Sequence, residues 1–233
     1  MKRPSRSGRF DATAWPAPNA ARRQLTRDQV VQAGLEVLNE EGFDGLTMRR
    51  LADALGIKAA SLYNHVKNKG ELLALMAEAI SGEIPDINPV KPWRRELETL
   101  AANVRRVLVA RRDAARVLAA TFPTGPNRLR QIEQILATLR GAGFPRAAAA
   151  DVAYVLNSYV VGFVLDETSA GPIDGAAAKR MREEGRKWFK SLPADEYPTI
   201  VALANELVDA PTERRFMMGL DALLDGFEAR RRD

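Results

Sequence analysis

Between Leu25 and Ile80, apolar residues return every three or four positions in short runs separated by polar or glycine-bearing breaks. That spacing predicts amphipathic helices rather than strands. In "LTRDQVVQAGLEVLNEEG", Val31, Leu35 and Leu38 share one face. Thr26 and Gln29 precede them as a capping box, each side chain satisfying an amide donor at the helix start. Gly42 is expected to close this helix. In "LTMRRLADALG", Thr47 is the expected N-cap, Met48, Leu51, Ala52 and Leu55 form the apolar face, and Gly56 is the stop. "AASLYNHV" predicts a third helix of two turns. Asn68 and Glu71 then open a fourth, "KGELLALMAEAI", which should end before "SGEIPDINPVKP", where glycine and three prolines forbid continuation.

The second and third of these helices are joined by "GIKAA". Two short helices about a glycine-started turn are the signature of a helix-turn-helix, whose second member enters the DNA major groove. From Trp93 onward the helical pattern continues in longer pieces. Two segments, 147–165 and 213–230, carry apolar residues on more than one face, so each should be buried on several sides. Either these segments lie in the centre of the domain or they also form a subunit interface; on the second reading Val152, Leu156 and Tyr159 on the first, and Phe216, Leu220, Leu223 and Phe227 on the second, are the residues expected at a homodimer interface. The fold class is therefore all-α. A helix-turn-helix DNA-binding domain (residues 25–80) precedes a larger helical ligand-binding and dimerisation domain (92–233). Residues 1–24, rich in Pro, Ser, Arg and Ala without periodicity, read as a disordered basic arm.

Charge sharpens this reading. The chain carries 35 Lys/Arg and 30 Asp/Glu, of which 12 and 7 lie in residues 1–70, leaving 23 of each in the remainder. All the excess positive charge thus gathers in the first third, as in a polyanion-binding module. Double-stranded DNA is the expected partner. The absence of cysteine excludes thiolate metal sites, disulfides and cysteine nucleophiles, and fits a reducing cytoplasm. There is no secretory h-region and no run of about 18 apolar residues, so no membrane association is expected. The single histidine lies near no hydrolase or metalloprotease pattern, and Glu183–Glu184 reads as a solvated surface pair, so an enzyme is not expected. The alternative is a helical protein-interaction module without sequence-specific DNA binding; it gives no reason for the charge to gather in residues 1–70.

At "GFDGLTMRRLADALG" and "SLYNHVKNKGEL" the chain resembles the tetracycline-repressor (TetR) family. Further along, "PWRREL", "RRDAARV", "GFPRAAAADVAYVLNSYVVGFVLDE" and "RFMMGLDALLDGFEA" resemble that repressor's own regulatory domain. The resemblance implies an Ω-shaped homodimer that binds an operator and releases it when a small-molecule effector moves the reading heads apart. It also implies site residues. Arg49 matches a position that contacts guanine, for which a guanidinium is suited because it bonds O6 and N7 together. Lys58, Ala59, Ala60 and Ser61 begin the recognition helix. Tyr63, His65 and Lys69 match base or phosphate contacts, and Thr47 with the start of its helix is placed at a phosphate. Arg3, Arg6, Arg9, Arg22 and Arg23 are candidates for a minor-groove arm.

The effector site departs from the family pattern. The position matching a metal-coordinating histidine is Leu118, and "GEIPDINP" contains no histidine. Gln134 matches a polar pocket position, and Asp166 falls near an acidic one. No metal or other cofactor and no Mg-tetracycline chemistry are expected. A more apolar pocket is expected instead, lined by Leu100, Val104, Leu118, Phe122, Gln134, Asn157 and Phe163, with Pro123 as a hinge.

Overall fold

The computed structural model describes residues 25–88, 91–169, 175–209 and 212–231. Among these there are twelve helices and no strand. The predicted arm, 1–24, and its five arginines lie outside the described residues.

Helix α1 (Arg27–Gly45) starts at the expected box: the Thr26 side chain accepts from the Gln29 amide, and the Gln29 side chain accepts from the Thr26 amide. Gly42 interrupts it with φ 78, a left-handed conformation glycine adopts at little cost, and one more turn follows. The missing side chain matters as well. A Cβ there would stand 2.9 Å from the Asp113 carboxylate and 3.0 Å from the Arg112 guanidinium, which reach in from the second domain.

Thr47 caps α2 (Met48–Ala54) by accepting from the Arg50 amide, and Gly56, φ 64, turns the chain into α3. Helix α3 (Ala59–Leu62) is a single turn, shorter than predicted. The Leu62 carbonyl is shared by the His65 and Val66 amides in a tightening turn, so the helix does not propagate. Asn68 caps α4 (Lys69–Gly82), accepting from the Glu71 amide at 2.9 Å. This helix passes the expected boundary at residue 80. It joins the head to the second domain through one continuous core that runs from Val30, Leu38 and Leu51 through Met76 and Ile80 to Leu97 and Leu108.

The second domain comprises α5 (Trp93–Val109), α6 (Ala114–Ala119), α7 (Pro126–Gly141), α8 (Arg146–Glu167), α9 (Gly175–Lys190), α10 (Pro198–Ala202), α11 (Ala204–Asp209) and α12 (Thr212–Arg230). The segment "YPTIVALANELVD", expected as one helix, is divided at Leu203 into α10 and α11. Helix α8 lies at the centre, against α5, α6, α7 and α12. By length and composition it could cross a bilayer, but Val152, Leu156, Val160, Val161 and Val164 belong to the core of the domain. Helices α9, α10 and α11 pack on one another, and α9 buries none of its residues.

Of the two readings of the wide apolar stripes, the burial within one chain agrees with helices at the centre of the domain. Val152, Leu156, Phe216, Leu220 and Phe227 are buried within the single chain, and Tyr159 and Leu223 lie half-buried against the same core. Their stripes are wide because several helices of one chain cover them. The Tyr159 hydroxyl donates to the Phe216 carbonyl at 2.6 Å, and its ring stacks on Phe216. On the same two helices the large apolar side chains left in solvent are Tyr154 at 74%, Val155 at 37% and Met218 at 66% exposure.

Candidate nucleic-acid interface and effector region

The head presents its polar residues unevenly. Three of its cations are committed internally. Arg27 donates to the His65 carbonyl and to Glu71, Arg50 is paired with Glu41 and Glu40, and Lys69 donates to the Phe43 carbonyl at 3.3 Å. The Arg50 guanidinium is held above its ordinary pKa, chiefly by its hydrogen bond to Glu41. Arg49, Lys58 and Lys67 have no side-chain partner among the described residues, and all three are exposed. Arg49 and Arg50 are sequence neighbours with opposite fates, because a helix turns adjacent residues about 100° apart.

Thr47, Lys58, Ala59, Ala60 and Ser61 are all exposed, and Tyr63 is half open to solvent. His65 is only partly exposed; its carbonyl is the Arg27 acceptor. Leu62 and Val66, on the other side of the same segment, are fully buried. The stretch is thus polar on its outer face and anchored by two apolar residues beneath. Thr47 and Lys69 already serve inside the head, one as cap and one at Phe43.

Two joints tie the head to the second domain, and sequence reasoning missed both. At the first, α6 meets the end of α1. The Asp113 carboxylate accepts from the Phe43 amide at 2.7 Å, Arg112 donates to the Glu40 carbonyl at 2.7 Å, and Arg116 pairs with Asp44 through two bonds of 3.0 Å. Asp113 adopts φ 56, an uncommon conformation for a residue with a side chain. Arg116 holds the Asp44 carboxyl below the usual carboxylate range, first by hydrogen bonding and then by charge.

At the second joint, α4 meets α7. Glu78 accepts from the Asn127 and Arg128 amides, Gln131 donates to the Ser81 carbonyl at 2.8 Å, and Arg130 pairs with Asp86. Gln134, an expected effector contact, accepts from the Ile87 amide at 3.3 Å and hydrogen-bonds Asp86, whose carboxyl it holds below the usual range. Arg128 is half-buried; desolvation lowers its pKa, and it donates to the Thr121 carbonyl and hydroxyl.

The other expected effector residues divide. Leu100 and Leu118 are buried in the common core, with Val104 and Phe163 half-buried against it. Phe122 is 80% exposed and Asn157 is exposed, so in the single chain neither lines an enclosed space. Pro123 lies in the turn between α6 and α7. A groove of about 370 Å³ lies between α7 and α8, lined by Leu136, Arg140, Arg146, Ala149 and Ala150. None of these was anticipated. Among the described residues no group of three or more His, Asp or Glu side chains could hold a metal ion.

A helix-turn-helix head with an outward guanidinium, joined by a long helix to a separate helical domain, defines a two-domain DNA-binding regulator. Comparison with known proteins gives the family. Residues 30–76 match the model described as bacterial regulatory proteins, tetR family, and residues 85–231 match the tetracyclin repressor-like C-terminal domain. The chain is 34% identical over 216 residues to the class A tetracycline repressor from transposon 1721 of Escherichia coli, covering 89% of this chain and 93% of that one. An HTH-type transcriptional regulator of Saccharopolyspora erythraea is 39% identical over 146 residues, which span 62% of this chain and 61% of that protein. The crystal structure of the TetR family protein ActR of Streptomyces coelicolor in complex with actinorhodin superposes with a TM-score of 0.77 at 34% identity, covering 88% and 98% of the two chains. The chain belongs to the TetR family of transcriptional regulators.

Proposed function

We propose that this protein is a transcriptional repressor that binds a palindromic operator as a homodimer and is released by a small organic effector. The observation that carries the reading is the uncommitted Arg49 beside the locked Arg50 on α2. A guanidinium left free in a head whose other arginines are satisfied is available for a guanine edge. Tyr63, Ser61, Ala59, Ala60 and Lys58 supply further contacts in the major groove. His65 contributes from its partly exposed position, and Lys69 and Thr47 meet phosphates.

Exposed apolar side chains support the dimer. Tyr154 and Val155 on α8, Met218 on α12, and Met181 and Trp188 on α9 are large apolar side chains open to solvent, the kind of surface a second copy would bury. Two-fold pairing gives each half-site one head. The effector is an organic molecule bound in the second domain, by analogy with the relative solved with actinorhodin. It is not a Mg-tetracycline chelate: the sole histidine, His65, belongs to the head, and Leu118 is an apolar core residue. The protein works where its operator lies, in the cytoplasm, as a binder rather than a catalyst.

Selection of bound duplexes from a random pool tests this reading. Enrichment of an inverted repeat with half-sites about one helical turn apart, or slightly more, is the expected result. Enrichment of an unpaired single motif removes the dimer from the account, and no enrichment removes the operator.

A further inference from the structure

Phe43, in the last turn of α1, carries cations from both domains. The Arg116 guanidinium of α6 lies 4.5 Å from its ring centroid, and the Lys69 ammonium lies 4.9 Å from the same centroid. Both distances fall in the range of cation–π attraction. Lys69 also donates to the Phe43 carbonyl, and the Phe43 amide donates to Asp113, at the start of α6. Ring, carbonyl and amide of this one residue are therefore all engaged. Two cations at one ring repel each other, and Asp44 offsets this: it pairs with Arg116 and feels the charge of Lys69.

We infer that Arg116 is a positioning residue for DNA binding: by clamping Phe43 and Asp44 from the second domain, it sets where the Lys69 ammonium stands at the head's edge. The inference rests on the phosphate contact proposed for Lys69. Helix α6 then governs one phosphate contact in each half-site without touching DNA itself. Without Arg116, Phe43 loses the group that fixes its ring, and Lys69 becomes one more flexible surface lysine, whose ordering cost leaves the phosphate contact unmade in much of the bound population.

The test is the salt dependence of binding by the full chain to a fixed duplex, since the slope of log affinity against log salt counts neutralised phosphates at about 0.9 per contact. Lys69→Ala should lower the slope by about 0.9 per protomer bound. Arg116→Gln should lower it by at least half as much. The double variant should match Lys69→Ala alone, because both act through one contact. Phe43→Leu, which keeps an apolar side chain but removes the π face, should reproduce the Arg116 effect. If Arg116 only stabilised the fold, its variant would melt earlier with the slope unchanged. If Arg116 bound phosphate directly, the losses would add. Either result overturns the inference and leaves the operator reading intact. A Lys69→Ala slope equal to wild type overturns it also, while Arg49-dependent sequence preference would still support the operator reading. Absence of any preferred sequence counts against that reading itself.

Discussion

Glu78 caps a helix other than its own, and removing it should weaken the joint between α4 and α7. Helix α7 begins with Gly125 as its N-cap and Pro126 in its first turn, and no side chain of its own caps it. The Glu78 carboxylate fills that role from α4, accepting from the Asn127 amide at 2.5 Å and the Arg128 amide at 3.3 Å. Gly125 makes the approach possible, since a Cβ there would overlap the carboxylate. The cap places negative charge at the positive end of the α7 dipole and beside half-buried Arg128. Loss of an N-cap costs about 0.5–2 kcal/mol, and hydrogen bonds to a charged acceptor lie toward the upper end. Glu78→Ala should therefore cost about 2 kcal/mol, and Glu78→Gln, which keeps an acceptor oxygen, about 1 kcal/mol. Urea unfolding at pH 7 and fixed protein concentration measures both, with an unchanged m-value. In a chain of this size the alanine variant should melt about 4–8 °C earlier. Gly125→Ala should weaken the same joint by displacing the carboxylate. The reasoning fails if Glu78→Ala and Glu78→Gln both fall within about 0.3 kcal/mol of wild type, below the smallest cap effect.

Other predictions bear on the interface and the core. Arg49→Ala should relax preference at one base pair per half-site by about 1–3 kcal/mol, read from affinities for operators changed one pair at a time. Phe216→Ala removes a fully buried ring that contacts Tyr159 and Phe163, and should cost about 3–5 kcal/mol in denaturant unfolding. Asp86→Asn should flatten the acid limb of the stability curve. Gln134 and Arg130 depress the Asp86 carboxyl, so its contribution is present above the usual carboxylate pKa. That contribution is lost as pH falls below about 4 and through the folded-state value. The variant should be less stable at pH 7 and lose less on acidification.

The parts legible in the sequence are those determined by neighbours a few residues apart. The Thr26–Gln29 box and the Thr47 and Asn68 caps each need only three or four residues, and all stand where their spacing places them. The turn at Gly56 is equally local. Apolar periodicity fails where the question is which molecule covers a face. Val152, Leu156 and Phe216 read as an interface because their stripes are wide, yet α5, α6, α7 and α12 surround α8 within one chain. Nor can pattern reveal partners far apart in sequence. Phe43 and Asp113 are 70 positions apart, and Glu78 and Asn127 are 49 apart. One signal was available: Gly42, just before Phe43, reads only as a helix stop, but it also leaves room for Asp113 and Arg112.

The most direct measurement is the ratio of affinities for the selected inverted repeat and a scrambled duplex of equal length, at one near-physiological salt concentration. A sequence-reading dimer should prefer the repeat by about 10³ or more, with two protomers bound. A ratio near one would show binding by charge alone and contradict the account.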